Sequence, residues 1–127
     1  MHKSKLAGFI IDCKTGDLAG AANFWGQALG LAIEPLPGEE GVKYVQLAGD
    51  SSQLQIEVQA VDHESRVHLD IETDNIEAEV KRLQALGAVV VDHVNTWCIM
   101  QAPTGQRFCV VRAASPNFEH DATPWSS

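Results

Sequence analysis

His68 is the side chain best placed for chemistry in this sequence: it stands between Val67 and Leu69, with Asp70 two residues further on. Residues two apart on a strand share a face, so a carboxylate there could orient the imidazole as a general base. A histidine that is hydrogen-bonded inside a sheet cleft and has no chemical role fits the same pattern, and both readings stay open. A second polar set comes from Gln53, Gln55, Glu57 and Gln59, which alternate with Leu54, Ile56 and Val58. That alternation describes a strand with one apolar and one polar face, and it makes Gln55 and Glu57 candidate ligand contacts. Trp97 begins a later strand and could wall a cleft for a flat or apolar ligand.

Other chemistries find no support. Cys13, Cys98 and Cys109 are odd in number and lack CxxC spacing, and their neighbours are largely apolar, so they read as small packed hydrophobes. No glycine-rich phosphate loop, Ser/His/Asp order or recognisable pair of catalytic carboxylates occurs. His2, His63, His93 and His120 fall in expected termini, loops or a strand edge and receive no role. Nine Lys and Arg against seventeen Asp and Glu give a net charge of -8, which repels phosphate backbones and anionic membranes. Nucleic acid and membrane are therefore not expected partners. Apolar runs such as Phe9 to Ile11 fall far short of the roughly 20 residues of a membrane span. The basic start at His2, Lys3 and Lys5 leads into an apolar stretch that Asp12 breaks, too short for a signal peptide, so the expected location is cytoplasmic.

The elements that position these groups follow from an internal repeat. Gln27-Ala28-Leu29-Gly30 recurs as Gln84-Ala85-Leu86-Gly87, with Asp17 and Asp74 at the same distance before each. A strand over Leu6 to Cys13 precedes a helix over Leu18 to Leu29, capped by Asp17, closed by Gly30 and carrying an apolar stripe of Ala21, Phe24, Trp25, Ala28 and Leu29. Strands over Leu31 to Glu34, Val42 to Leu47 and Gln53 to Val61 follow, the last two joined through Gly49-Asp50. The second half repeats the order. A strand around Val67 to Ile71 leads to a helix capped by Asp74 or Asn75, which buries Ile76, Val80, Leu83 and Leu86 and exposes Glu77, Glu79, Lys81 and Arg82. Strands then run over Ala88 to Val94, Trp97 to Gln101 and Gln106 to Arg112. The expectation is one domain over 1–127: an α+β fold of two βαβββ modules, 6–61 and 66–112, forming a curved, open eight-stranded mixed sheet with a cleft, and an irregular tail over 113–127.

These residues resemble the vicinal oxygen chelate superfamily, which includes glyoxalase I, bleomycin-resistance proteins and extradiol dioxygenases. The βαβββ repeat, the segment His68-Leu69-Asp70-Ile71-Glu72-Thr73-Asp74, the Pro103-x-Gly105 turn and Phe108-Cys109-Val110-Val111 are most similar to its glyoxalase-like domain group. In metal-using members the resemblance implies one ligand from the first strand and one from the last strand of each repeat. Here those positions carry Ile10 or Ile11, Gln55 or Glu57, His68, and Cys109. An aliphatic side chain has no lone pair to offer, so the expectation is a binder of a small organic molecule without the family's complete metal site and without a cofactor; if one is used, it is a divalent metal. The candidate contacts are His68, Gln55, Glu57, Asp70 and Trp97. The alternative is a metal-dependent lyase, isomerase or dioxygenase of the glyoxalase type. The resemblance, and the exposure of sheet edges, also imply a homodimer.

Overall fold

In the computed structural model, which describes residues 1–48 and 54–126, the doubled pattern is present in full. The first pass comprises β1 (His2–Lys14), α1 (Leu18–Leu29), β2 (Ala32–Pro35), a short α2 (Glu40–Lys43), β3 (Tyr44–Ala48) and β4 (Gln55–Val61). The second comprises β5 (Arg66–Thr73), α3 (Ile76–Ala85), β6 (Val89–Val94), β7 (Trp97–Gln101) and β8 (Arg107–Arg112). The chain closes with α4 (Phe118–Asp121) and β9 (Thr123–Trp125). Gly49, Asp50 and Gln53, read above as a strand connection and a strand start, lie outside the described residues. No helix among those described is long and apolar enough to cross a membrane.

The residues group into two compact units, 8–68 and 1–7 with 69 onward. In the first unit the strand order is β2-β3-β4-β1, with β1 parallel to β4 and the other pairs antiparallel. Within the second unit, β6-β7-β8-β5 reproduces that order, with β5 parallel to β8. The class is thus α+β with mixed strand pairing, and the sequence repeat corresponds to a repeat of topology. Caps explain where each helix begins. Asp17 accepts the Gly20 N–H at 3.0 Å, and Gly30 ends α1 in the left-handed conformation at φ 70°. On α3 the cap is Asn75, which accepts from Ala78 at 3.0 Å, because the Asp74 carboxylate is taken by the Lys3 N–H at 2.9 Å.

α1 buries another face than its apolar stripe suggests, whereas α3 buries its expected stripe through Ile76, Val80 and Leu83. α1 buries Ala22 and Gly26, while Phe24 is 61% exposed and Leu29 is also exposed. Gly26 explains this: a side chain there would press on Ile33 of β2 and the Leu31 carbonyl at 3.1 Å, so the small residues set the close approach of helix and sheet. Phe24 instead packs edge-on against Trp25, with ring centroids 5.1 Å apart. On α3, Val80 and Leu83 join Ala88, Cys98, Met100, Phe108 and Val110 in the core, but Leu86 is exposed.

Two further expectations are corrected. Glu79 does not belong to a solvated face; its side chain is fully buried. β1 starts at His2, and the His2 Nε2 meets Glu79 Oε1 at 2.8 Å, while Arg82 binds the same carboxylate through Nε at 2.9 Å and Nη2 at 2.7 Å. The tail is not irregular over 118–125. Phe118 and Ala122 are buried, β9 pairs antiparallel with His2–Ser4, and the Trp125 indole N–H donates to Ser4 Oγ at 2.8 Å. The Arg82 guanidinium lies 3.9 Å from the centre of the Trp125 ring, so one cation braces both the helix and the terminal strand.

Candidate functional site

β1 and β4 build the polar face of the unit 8–68. Their parallel register sets Gly8 beside Gln55, Ile10 beside Glu57 and Asp12 beside Gln59. The antiparallel register of β3 with β4 sets Tyr44 beside Gln59, and the Gln59 amide donates to the Tyr44 hydroxyl at 3.0 Å. Alternation therefore gathers Gln55, Glu57, Gln59, Asp12 and Tyr44 on one face. Ile11, Val45, Leu47 and Val58, which are buried, occupy the other, and α1 packs on β2, β3 and β4.

His68 is held by a carboxylate, and that carboxylate is Asp12. The imidazole Nδ1 lies 2.8 Å from Asp12 Oδ2, with side-chain exposures of 14% and 2%. Arg66 Nε approaches the same oxygen at 3.8 Å. With Nδ1–H donating to Asp12, the neutral ring carries its lone pair on Nε2, the form suited to accept a proton or ligate a metal. The other Asp12 oxygen, Oδ1, is buried with no hydrogen-bond partner among the described residues. Sequence reasoning assigned the orienting role to Asp70 and missed Asp12. The signal existed in the repeat, which sets Asp12 and Asp70 at equivalent places; strand alternation alone favoured the nearer residue.

The other candidates are placed as follows. Gln55 and Glu57 stand on the β4 face just described. Asp70 lies on β5 and is paired in register with Cys109 of β8, so imidazole, carboxylate and thiol side chains of metal-ligating type occur at 68, 70 and 109, each half-buried. Trp97 lines a groove in the other unit, and none of the other four candidates is among its lining residues. Burial of the thiols argues against reactive cysteines: it pushes the Cys98 pKa up, reinforced by Asp92, and raises that of Cys13 despite a hydrogen bond to Trp25.

Residues 8–111 match the family described as the glyoxalase-like domain. The chain belongs to that family. Solved structures agree at the level of the fold. A hypothetical protein from Bacillus halodurans C-125 superposes with a TM-score of 0.62 at 16% identity, covering 87% of this chain and 95% of that one. For methylmalonyl-CoA epimerase from Mycobacterium tuberculosis the values are 0.62 and 18%, over 86% of this chain and 87% of that chain. A glyoxalase/bleomycin resistance protein/dioxygenase superfamily member from Vibrio splendidus 12B01 gives 0.51 and 16%, over 84% and 98%. Identities this low carry the fold and not an activity. No curated protein matches the chain.

Within this glyoxalase-like chain the metal cage implied by the family can be tested position by position. At the first-strand position of the first repeat stands Ile10, only 5% exposed, or Ile11, also buried. Neither has a donor atom, and Cys109 occupies the last-strand position of the second repeat with a soft thiol where the family pattern has an oxygen. The four-donor cage does not fit these residues.

Proposed function

We propose that this glyoxalase-like protein binds a small organic molecule on the face made by β1 and β4, with His68 as its principal polar contact, and that it does so without the family's complete metal cage. The observation that carries this reading is the 2.8 Å bond from His68 to Asp12, a buried carboxylate whose other oxygen has no partner among the described residues. Burying a carboxylate is costly unless it is paired, and here the pairing with His68, with Arg66 nearby, also fixes the orientation of the imidazole, which suits a ring that must meet a ligand. Gln55, Glu57 and Gln59 supply neighbouring amide and carboxylate groups, the few polar contacts that a small-molecule site needs for specificity. The same reading takes the protein to act as a cytoplasmic homodimer. None of the three cysteines is in a disulfide among the described residues, which suits a reducing compartment, and Val89 and Val91 of β6 are exposed for a partner to cover.

The second reading is a metal-dependent lyase, isomerase or dioxygenase. The donor types at His68, Asp70 and Cys109 favour it, since a histidine whose Nδ1 is fixed by a carboxylate is also a common arrangement in metal sites.

Thermal unfolding of the protein against a panel of small organic acids, amides and phenols tests the first reading. A ligand that saturates the folded state at 100 times its Kd stabilises it by about 2.7 kcal/mol. The expected result is a selective rise in Tm that His68→Ala abolishes and Asp12→Asn weakens. A rise that survives unchanged in His68→Ala, or no rise with any compound, contradicts it.

A further inference from the structure

The groove lined by Trp97 lies wholly in the unit of residues 1–7 and 69 onward and has a volume of about 700 Å³. Its walls come from the tip of the β6–β7 hairpin, the β5–α3 corner and the end of β8. The hairpin contributes His93, Asn95 and Trp97, the corner Thr73 and Asp74, and β8 contributes Arg112. A volume of this size falls within the range that holds small ligands.

The arginines of the chain give this groove its meaning. There are four, and three are committed: Arg66 approaches Asp12, Arg82 clasps Glu79 and Arg107 donates to Gln101. The Arg112 guanidinium has no hydrogen bond or ion pair among the described residues. In a chain with seventeen acidic side chains and nine basic ones, a guanidinium without a carboxylate at the edge of a cavity is disposed to take an anion from solution. The β5–α3 corner beside Arg112, whose Thr73 is its register partner on the neighbouring strand, is already tied down. Thr73 is buried and donates its hydroxyl to the Lys3 carbonyl at 2.7 Å, and Asp74 accepts the Lys3 N–H at 2.9 Å. A ligand would therefore meet, on that side, groups that need no ordering.

Charge and shape narrow the ligand class. The Asp74 carboxylate in the same wall opposes a polyanion such as a nucleotide phosphate, so a single negative charge suits the groove better. Trp97 offers a flat apolar surface, and His93 and Asn95 offer further polar contacts. We propose that this groove is a binding site for a small planar monocarboxylate, its carboxylate paired with Arg112 and its ring against Trp97. This inference does not depend on the role assigned to His68.

Benzoate is the probe, with neutral benzamide as its isosteric comparison, titrated into the full chain labelled with ¹⁵N. The expected result is a saturable shift of the Trp97 indole N–H and of the backbone amides at 95–97. Arg112→Gln should weaken benzoate at least about tenfold, as loss of a charge-assisted hydrogen bond does, and Arg112→Lys should weaken it less. An unchanged spectral dispersion shows that each variant is folded. The proposal is overturned if benzoate shifts nothing in this region, if it shifts residues around His68 instead, or if benzamide or the Arg112→Gln variant binds as well.

Discussion

Replacing Glu79 by alanine is expected to lower the unfolding free energy by about 3–5 kcal/mol, the range for removing one partner of a buried ion pair. Glu79 is fully buried and is the acceptor for both His2 Nε2 and two Arg82 nitrogens. Without it, a half-buried guanidinium and a buried imidazole lose their acceptor together. The damage spreads, because Arg82 also stacks on Trp125 and so braces β9. Glu77→Ala on the same helix is the control. It removes only an exposed pair with Lys81 at 3.3 Å and should change stability by no more than about 0.5 kcal/mol. Urea unfolding of both variants checks this, and equal midpoints would contradict it.

The same carboxylate gives a pH dependence of definite sign. Burial pushes the Glu79 pKa up, but the hydrogen bonds from Arg82, His2 and Ser4 outweigh it and hold the group below its ordinary 4.5. A folded-state pKa that is depressed contributes stability above the unfolded value, and that contribution is lost as pH falls through the folded value. The part of the stability gap between the wild type and Glu79→Gln that Glu79 itself carries should therefore be present at neutral pH and be lost only as pH falls below about 4.5. A gap that stays unchanged from about pH 5 down to about pH 3 would contradict this.

Gly8→Ala is expected to be nearly as damaging, and to remove binding as well as stability. A Cβ at Gly8 would run into the Gln55 carbonyl oxygen and lie 2.7 Å from its carbon and 2.8 Å from the Gln55 nitrogen. These are backbone atoms of the paired strand and cannot rotate away, so β1 must part from β4. The cost should reach the upper end of the overpacking range, about 3 kcal/mol. Asp12 lies four residues further along the same strand and on the same face, so its hold on His68 moves with it. Any stabilising ligand found for the wild type should then act more weakly on Gly8→Ala at saturating concentrations. A variant within about 1 kcal/mol of the wild type, with ligand response intact, would show that the strands yield more easily than this packing implies.

Particular residues show what could be read in advance. The recurrence of Gln-Ala-Leu-Gly at 27–30 and 84–87 foretold the doubled topology, since each copy marks the end of a helix. Gly30 and Gly87 both take positive φ, at 70° and 106°. Short-range signals served well because they are local physics: a cap, a left-handed stop, a period of two. The burial of Glu79 was hidden because its acceptor role depends on His2, seventy-seven residues away in sequence. For the same reason Asp12, fifty-six residues from His68, was passed over in favour of Asp70. The α1 face was misjudged because large apolar residues outweigh Ala22 and Gly26 in any periodicity, although only the small ones permit close contact with β2. The order in the tail rests on Trp125 and Phe118 finding partners in β1, α3 and the unit's core, which local composition rich in Ser and Pro does not disclose.

The metal content of the protein, purified without chelator and measured by elemental analysis alongside His68→Ala, bears most directly on the account. With Ile10 or Ile11 where a donor atom would have to stand, the wild type should carry well short of one Ni, Zn, Fe or Mn per chain, and the variant should not differ from it. Stoichiometric metal in the wild type that disappears in His68→Ala would contradict the account and establish the metal-dependent reading in its place.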